Sequence, residues 1–196
     1  MKNQKRSVFQ KICLLAGIGL ILAAVVVFLS WQRGIHTSEQ QANAYVHTLR
    51  MLMPEPQGAV LEERNNNDMA VLSVEGTDFV GILEMPLYES VLPVCADWGQ
   101  LSRYPCCFSG SLYDRSLQIG GTSQKGQYDF YRDISVGDNL YFTDMTGNRY
   151  TYAVKAIHYE KHADQESLQR EDSALTLFIK NMYAFEYVIV FCDVVG

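Results

Sequence analysis

No acidic side chain precedes Glu39 in this 196-residue sequence, and no charge of either sign lies between Ile12 and Trp31. As a helix, that run is about long enough to cross roughly 30 Å of hydrocarbon. Lys2, Lys5, Arg6 and Lys11 stand before it. A basic flank of this kind stays in the cytoplasm, so everything after Trp31 is expected outside the cell. Trp31 falls where an amphipathic ring suits the membrane interface. A cleavage site is also lacking. Phe28-Leu29-Ser30-Trp31 offers no Ala-x-Ala pattern, so a retained signal anchor is expected in place of a removed signal peptide.

Basic charge is scarce beyond the anchor. Four of the 16 Lys and Arg residues lie before it, and all 22 Asp and Glu lie after it. An acidic exterior excludes a nucleic-acid partner, which requires a basic face. Cysteine is sparse too. Cys13 lies in the apolar run, and Cys95, Cys106, Cys107 and Cys192 follow in a compartment where disulfides are allowed. No paired C-x-x-C spacing occurs, so no zinc site, and no other metal or cofactor, is expected. Adjacent Cys106 and Cys107 cannot both face one partner in a strand, and the four outer cysteines read as buried, occasionally paired thiols. Internal repeats and low-complexity tracts are absent. A composition 48% hydrophobic and 19% charged fits one globular domain beside the anchor, with a core large enough to need no disulfide framework.

Within that domain the pattern is β. Gly34 to Met53 is polar and helix-tolerant and ends before Pro54 and Pro56, which reads as a membrane-proximal helix or stalk. Glu62 to Asp68, with three successive asparagines, is a loop. Phe79 to Glu84 reads as a strand broken by Met85-Pro86, and Leu87 to Val94 as a second extended run. Leu117 to Gly121 is a short strand running into a turn. Asn139 to Phe142 and Arg149 to Tyr159 flank the turn residues Thr146-Gly147-Asn148 as a hairpin. Leu175 to Ile179 and Tyr187 to Val190 are two more buried strands, and Gln165 to Asp172 alone looks helical in the later half. Many short strands with few helices predict a closed or nearly closed antiparallel barrel.

Several of these segments, in order, resemble the sortases, most nearly classes B and D. Phe79-Val-Gly-Ile-Leu-Glu-Met-Pro86 is similar to the family's opening strand, and Leu92-Pro93-Val94 to its LPV. Leu117-Gln118-Ile119-Gly120-Gly121-Thr122-Ser123 resembles the strand ending in A-G-H-N or A-A-H-N. Phe130 followed by Ile134 to Asp138 resembles the run ending in G-D. Leu175-Thr176-Leu177-Phe178-Ile179-Lys180 resembles L-T-L-x-T-C, and Tyr187 to Val190 the closing strand after the family's arginine. The resemblance covers residues 70 to 196. It implies an all-β fold, the eight-stranded sortase barrel with short helices, and a Gram-positive origin. The expected organisation is a cytoplasmic basic segment at 1–11, a transmembrane anchor at 12–31, a stalk or linker at 32–69 and the barrel at 70–196.

Sortase chemistry, as the resemblance implies it, uses a cysteine thiolate on the threonyl carbonyl of an LPXTG-like signal, a histidine acid and base, and an arginine for the oxyanion or substrate. At those positions this chain has Lys180, Thr122 and Tyr187, with Gly121, Ser123 and Glu186 as further groove candidates. No His follows His162, no Arg follows Arg170, and Cys192 lies about a dozen residues, roughly 40 Å of extended strand, past the nucleophile position. In hydrolases with comparable catalytic units, losing the nucleophile or the base costs on the order of 10⁶ in rate. The expectation is a pseudo-sortase on the outer membrane face, holding a sorting-signal peptide or partnering an active sortase. The alternatives are a Thr122 or Ser123 hydroxyl activated by Lys180, or an active transpeptidase with displaced residues, such as Cys106 or Cys107 served by His158 or His162. Tyr128, Tyr131, Tyr141, Tyr150, Tyr152 and Tyr159 are expected in barrel packing, and His158 and His162 on a solvent-facing loop.

Overall fold

A computed structural model describes residues 2–59 and 68–195, with side chains of the first helix described at 17–28 and from 39 onward. The loop expected over 62–68 therefore lies outside the described residues except for Asp68. Helix α1 (Lys2–Leu52) contributes to two compact units, residues 1–37 and 38–196. In the first unit Leu20, Ile21, Leu22 and Val25 to Phe28 are exposed. Among the described residues no helix is long and apolar enough to cross a membrane. The span expected at 12–31 includes side chains at 12–16 and 29–31 that lie outside the described residues.

The second unit is a barrel. Its strands are β1 (Gln57–Gly58), β2 (Leu72–Val74), β3 (Thr77–Met85), β4 (Ser90–Cys95), β5 (Cys106–Ser109), β6 (Leu117–Thr122), β7 (Asn139–Asp144), β8 (Asn148–Glu160), β9 (Leu175–Lys180) and β10 (Tyr187–Val194), with one helical turn, α2 (Gln165–Leu168), before β9. The order β8-β10-β9-β6-β5-β4-β3 is closed by β7, which pairs with both β3 and β8. Eight strands thus form the expected barrel, with two- and three-residue β1 and β2 added at its margins.

Alternation along these strands builds the interior. Leu117 and Ile119, Leu175, Leu177 and Ile179, and Val188, Val190 and Cys192 point inward onto Tyr128, Phe142 and Tyr152. The intervening Phe178, Ile189 and Phe191 are also buried, under Leu168. β9 is therefore buried on both faces up to Ile179, the pattern of a strand covered twice.

The antiparallel barrel expected from the sequence is corrected at two pairings, because β4 runs parallel to β5 and β6 parallel to β9. A hairpin signal reports only neighbours joined by a tight turn. The β6-to-β9 connection instead carries the whole β7–β8 hairpin. The run expected from Leu87 begins later, at Ser90. Pro86 fixes φ and has no N–H, so Pro86 to Tyr88 form a tight 3₁₀ turn, closed by Glu89 N donating to Pro86 O at 3.0 Å. The helix expected to Asp172 stops after one turn, started by Asp164 accepting from Ser167 N at 2.9 Å. His158 lies on β8 and not on a loop, since that strand runs to Glu160. Tyr128, Tyr131, Tyr150 and Tyr152 are buried as expected. Tyr159 is exposed, and Tyr141 carries the Arg149 guanidinium 4.1 Å above its ring.

The Val136-Gly137-Asp138 turn is a structural lock. Asp138 accepts from Ser135 N at 2.7 Å and from the Tyr88 hydroxyl at 2.5 Å, while Gly137 adopts φ +97°. Residues 38–52 of α1, part of the polar segment read as stalk, pack on the barrel through Ala42, Tyr45 and Leu49, one helical face against Phe79, Ile82 and Tyr104. Leu49 is wholly buried there. Leu49→Ala should lower stability by about 2–5 kcal/mol in urea unfolding. An unchanged midpoint would mean that this helix segment is not docked in solution.

Candidate functional site

Parallel pairing of β6 with β9 sets Thr122 opposite Lys180, and antiparallel pairing of β9 with β10 sets Tyr187 opposite the same Lys180. The three residues that stand where the resemblance puts histidine, cysteine and arginine thus form one row across three adjacent strands. By alternation they share the outward face with Gly120, Phe178 and Ile189. Ser123 continues the ladder, donating its N–H to Lys180 O at 3.0 Å.

Each member has a different setting. Thr122 is 5% exposed, and its Oγ1 has no hydrogen-bond partner. Its N–H donates to Gln127 Oε1 at 2.8 Å, and Gln127 Nε2 donates to Leu101 O at 3.1 Å, so one buried amide ties the end of β6 to the loop before β5. Ser123, also buried, accepts from Met182 N at 2.9 Å. Lys180 is exposed. Neither hydroxyl is hydrogen-bonded to the lysine, so the hydroxyl–lysine arrangement is not assembled here. Glu186 does not pair with it either, but accepts from Asn181 Nδ2 at 2.9 Å.

Asn181, next to Lys180, was not singled out in the sequence. It is 2% exposed, donates N–H to Glu186 O at 3.0 Å and accepts from Tyr183 N at 3.0 Å through its side-chain oxygen. Asparagine favours this type of local turn, which was the available signal. The turn pushes Met182, Tyr183 and Phe185 outward, Phe185 being fully exposed. Together with Lys180, Tyr187, Lys161 and His162 they border a cavity of about 670 Å³ at the end of the row.

Glycines shape the other wall. A Cβ on Gly120 would meet the Trp98 and Phe178 rings at 2.6 and 2.7 Å, so Trp98 can lie across β6 only because no side chain is there. Trp98, Phe108 and Phe178 stack in a cluster with centroids 4.9 to 5.8 Å apart. Gly121 is not turned to the groove as expected. The space its side chain would fill lies inside the barrel, 2.3 Å from the Tyr128 ring, because successive residues of a strand face opposite ways.

The displaced cysteine–histidine pairs are not brought together. Cys106 is buried beneath α1. Cys107 is on β5, separated from His158 on β8 by β6, β9 and β10. Burial raises the Cys107 thiol above its ordinary value and Cys192 far above it, the reverse of an activated nucleophile. His158 Nε2 lies 3.3 Å from Glu171, and its ring stands edge-on to Phe191. Among the described residues no cluster of His, Cys, Asp and Glu is arranged to hold a metal ion.

No family model matches the chain, and no curated protein matches it in sequence. Solved structures do match. Sortase A from Corynebacterium diphtheriae is similar at 17% identity and TM-score 0.53, over 83% of this chain and 84% of that one. Sortase C1 from Streptococcus agalactiae is similar at 18% identity and TM-score 0.53, over 63% and 71%. Sortase C from Clostridium perfringens with the C-terminal cell wall sorting motif is similar at 16% and TM-score 0.51, over 61% and 71%. The barrel has the sortase-type fold. Asn181→Ala should cost about 1–3 kcal/mol in chemical unfolding, because it orphans buried groups of the β9–β10 turn. No loss of stability would show that the turn is held without it.

Proposed function

We propose that this chain is a membrane-anchored, extracellular pseudo-sortase of Gram-positive type that binds a sorting-signal peptide along the β6–β9–β10 groove without cleaving it. The observation that carries this reading is the Thr122–Lys180–Tyr187 row, with a hydroxyl, an amine and a phenol at the three positions where the resemblance calls for acid and base, nucleophile and oxyanion partner. A thioester requires a cysteine. An acyl group taken by Lys180 would be a stable amide that no second amine readily releases. Thr122 would need a base at its hydroxyl, and Oγ1 has no hydrogen-bond partner.

Peptide binding is supported by the groove's construction. It offers an open ammonium at Lys180 and an apolar rim at Met182, Tyr183 and Phe185. The Clostridium perfringens enzyme, solved with its sorting motif, supports a peptide as the ligand by analogy of fold. The basic flank before an uncharged run at 12–31 supports the anchor and the outward topology.

The test is incubation of the full chain in detergent with fluorescent LPXTG-type peptides and hydroxylamine. Saturable binding by anisotropy, with neither cleavage nor hydroxamate product, is expected. Phe185→Ala and Tyr187→Ala should each weaken binding about tenfold, a difference of about 1.4 kcal/mol. Multiple turnover of the peptide would overturn the reading, as would affinity that neither substitution alters.

A further inference from the structure

Cys95 ends β4 and Cys106 begins β5, and the two are register partners in the parallel pairing that joins these strands. Such partners have Cα atoms roughly 4.8 Å apart. A disulfide needs about 4.4–6.8 Å between Cα atoms and side chains directed to a common side. Both side chains enter the same cluster, with Phe79, Tyr104 and Ala42, and both are wholly buried. Cys106 Sγ donates to Tyr104 O at 3.2 Å, which holds its side chain in this cluster. Interaction between the two neighbouring thiols is the main cause that lowers the Cys95 thiol and raises Cys106, the latter with burial adding to it. The neighbouring Cys107 packs against the other cluster, and Cys192 lies inside the barrel, so neither competes for this partner. All four are thiols in this structure.

We propose that Cys95 and Cys106 are a redox pair that closes to a disulfide on exposure to an external disulfide, whether a small molecule or a protein oxidant. The Cys95 thiolate attacks one sulfur of the external disulfide, forming a mixed disulfide and expelling one thiolate. Cys106, its proton passing to solvent, then attacks the Cys95 sulfur and expels the second. Two protein thiols are oxidised, one external disulfide is reduced to two thiols, and the protons balance. Because both sulfurs are buried, exchange occurs during folding or when the 96–105 loop opens.

The bond would close the loop that supports the groove wall. That loop carries Trp98, which lies across Gly120, and Leu101, whose carbonyl holds the Gln127 side chain that in turn holds Thr122 N. Closing it restrains the end of β6 from outside the groove. The pairing does not depend on what the groove binds, so its failure and a failure of peptide binding are separately visible.

The test is to refold the full chain in detergent with glutathione disulfide and glutathione, then map peptides without reduction. The expected product is a single cross-link between Cys95 and Cys106, with Cys107 and Cys192 alkylated only after unfolding. The oxidised chain should melt several degrees above the reduced one, a difference absent from Cys95→Ala and Cys106→Ala. Amide exchange at residues 97–104 and at Thr122 should slow on oxidation. Cys95 and Cys106 both left as free thiols, glutathione adducts alone or any other pairing would overturn the proposal, and the mapping needs no substituted protein. A melting difference that persists in Cys95→Ala would overturn it as well.

Discussion

The in-register parallel pairing of β6 with β9 is the constraint on which the groove depends. It sets Thr122 beside Lys180 although the β7–β8 hairpin lies between them in the chain. The Ser123-to-Lys180 hydrogen bond extends the same ladder past the end of β6. A slip of one residue would turn every side chain of β6 to the other face. Leu117 and Ile119 would then leave the interior, so the register is held by the core and the groove inherits it.

Two features adapt this row to its surroundings. Gly120 leaves room for Trp98 on the outer face, and Gly121 leaves room for Tyr128 on the inner one. The end of β6 is thus clasped from both sides, and Gln127 ties it to the 96–105 loop. On the opposite side, Asn181 turns the chain sharply enough to expose Tyr183 and Phe185 while keeping its own amide paired. One side is aromatic, and the other is a short exposed loop.

Much of this was legible in the residues. Alternating or wholly apolar runs marked β3, β6, β9 and β10, and Thr146-Gly147-Asn148 marked the β7–β8 turn. The strand β5 was not, because Cys106 to Ser109 is short and lacks a β-branched residue. His158 falls at the end of the strand read over Arg149 to Tyr159, and its polar ring alone does not say whether it leaves the sheet there. Gly121 was assigned to the groove because a glycine pair does not say which member faces which side. Asn181 was passed over because one asparagine beside a strand is an ordinary turn signal until its partners are known.

What the sequence by itself determined was local and chemical. It set the strand runs and the turn residues, and it put threonine, lysine and tyrosine at Thr122, Lys180 and Tyr187, where the resemblance would have histidine, cysteine and arginine. Only the tertiary structure decided that these three share one row, that Thr122 Oγ1 is buried without a partner, and that Cys95 faces Cys106. The physical reason is that identity and periodicity are properties of neighbours along the chain. Register between distant strands arises only when the whole barrel closes and each inward side chain must find its place in a shared core.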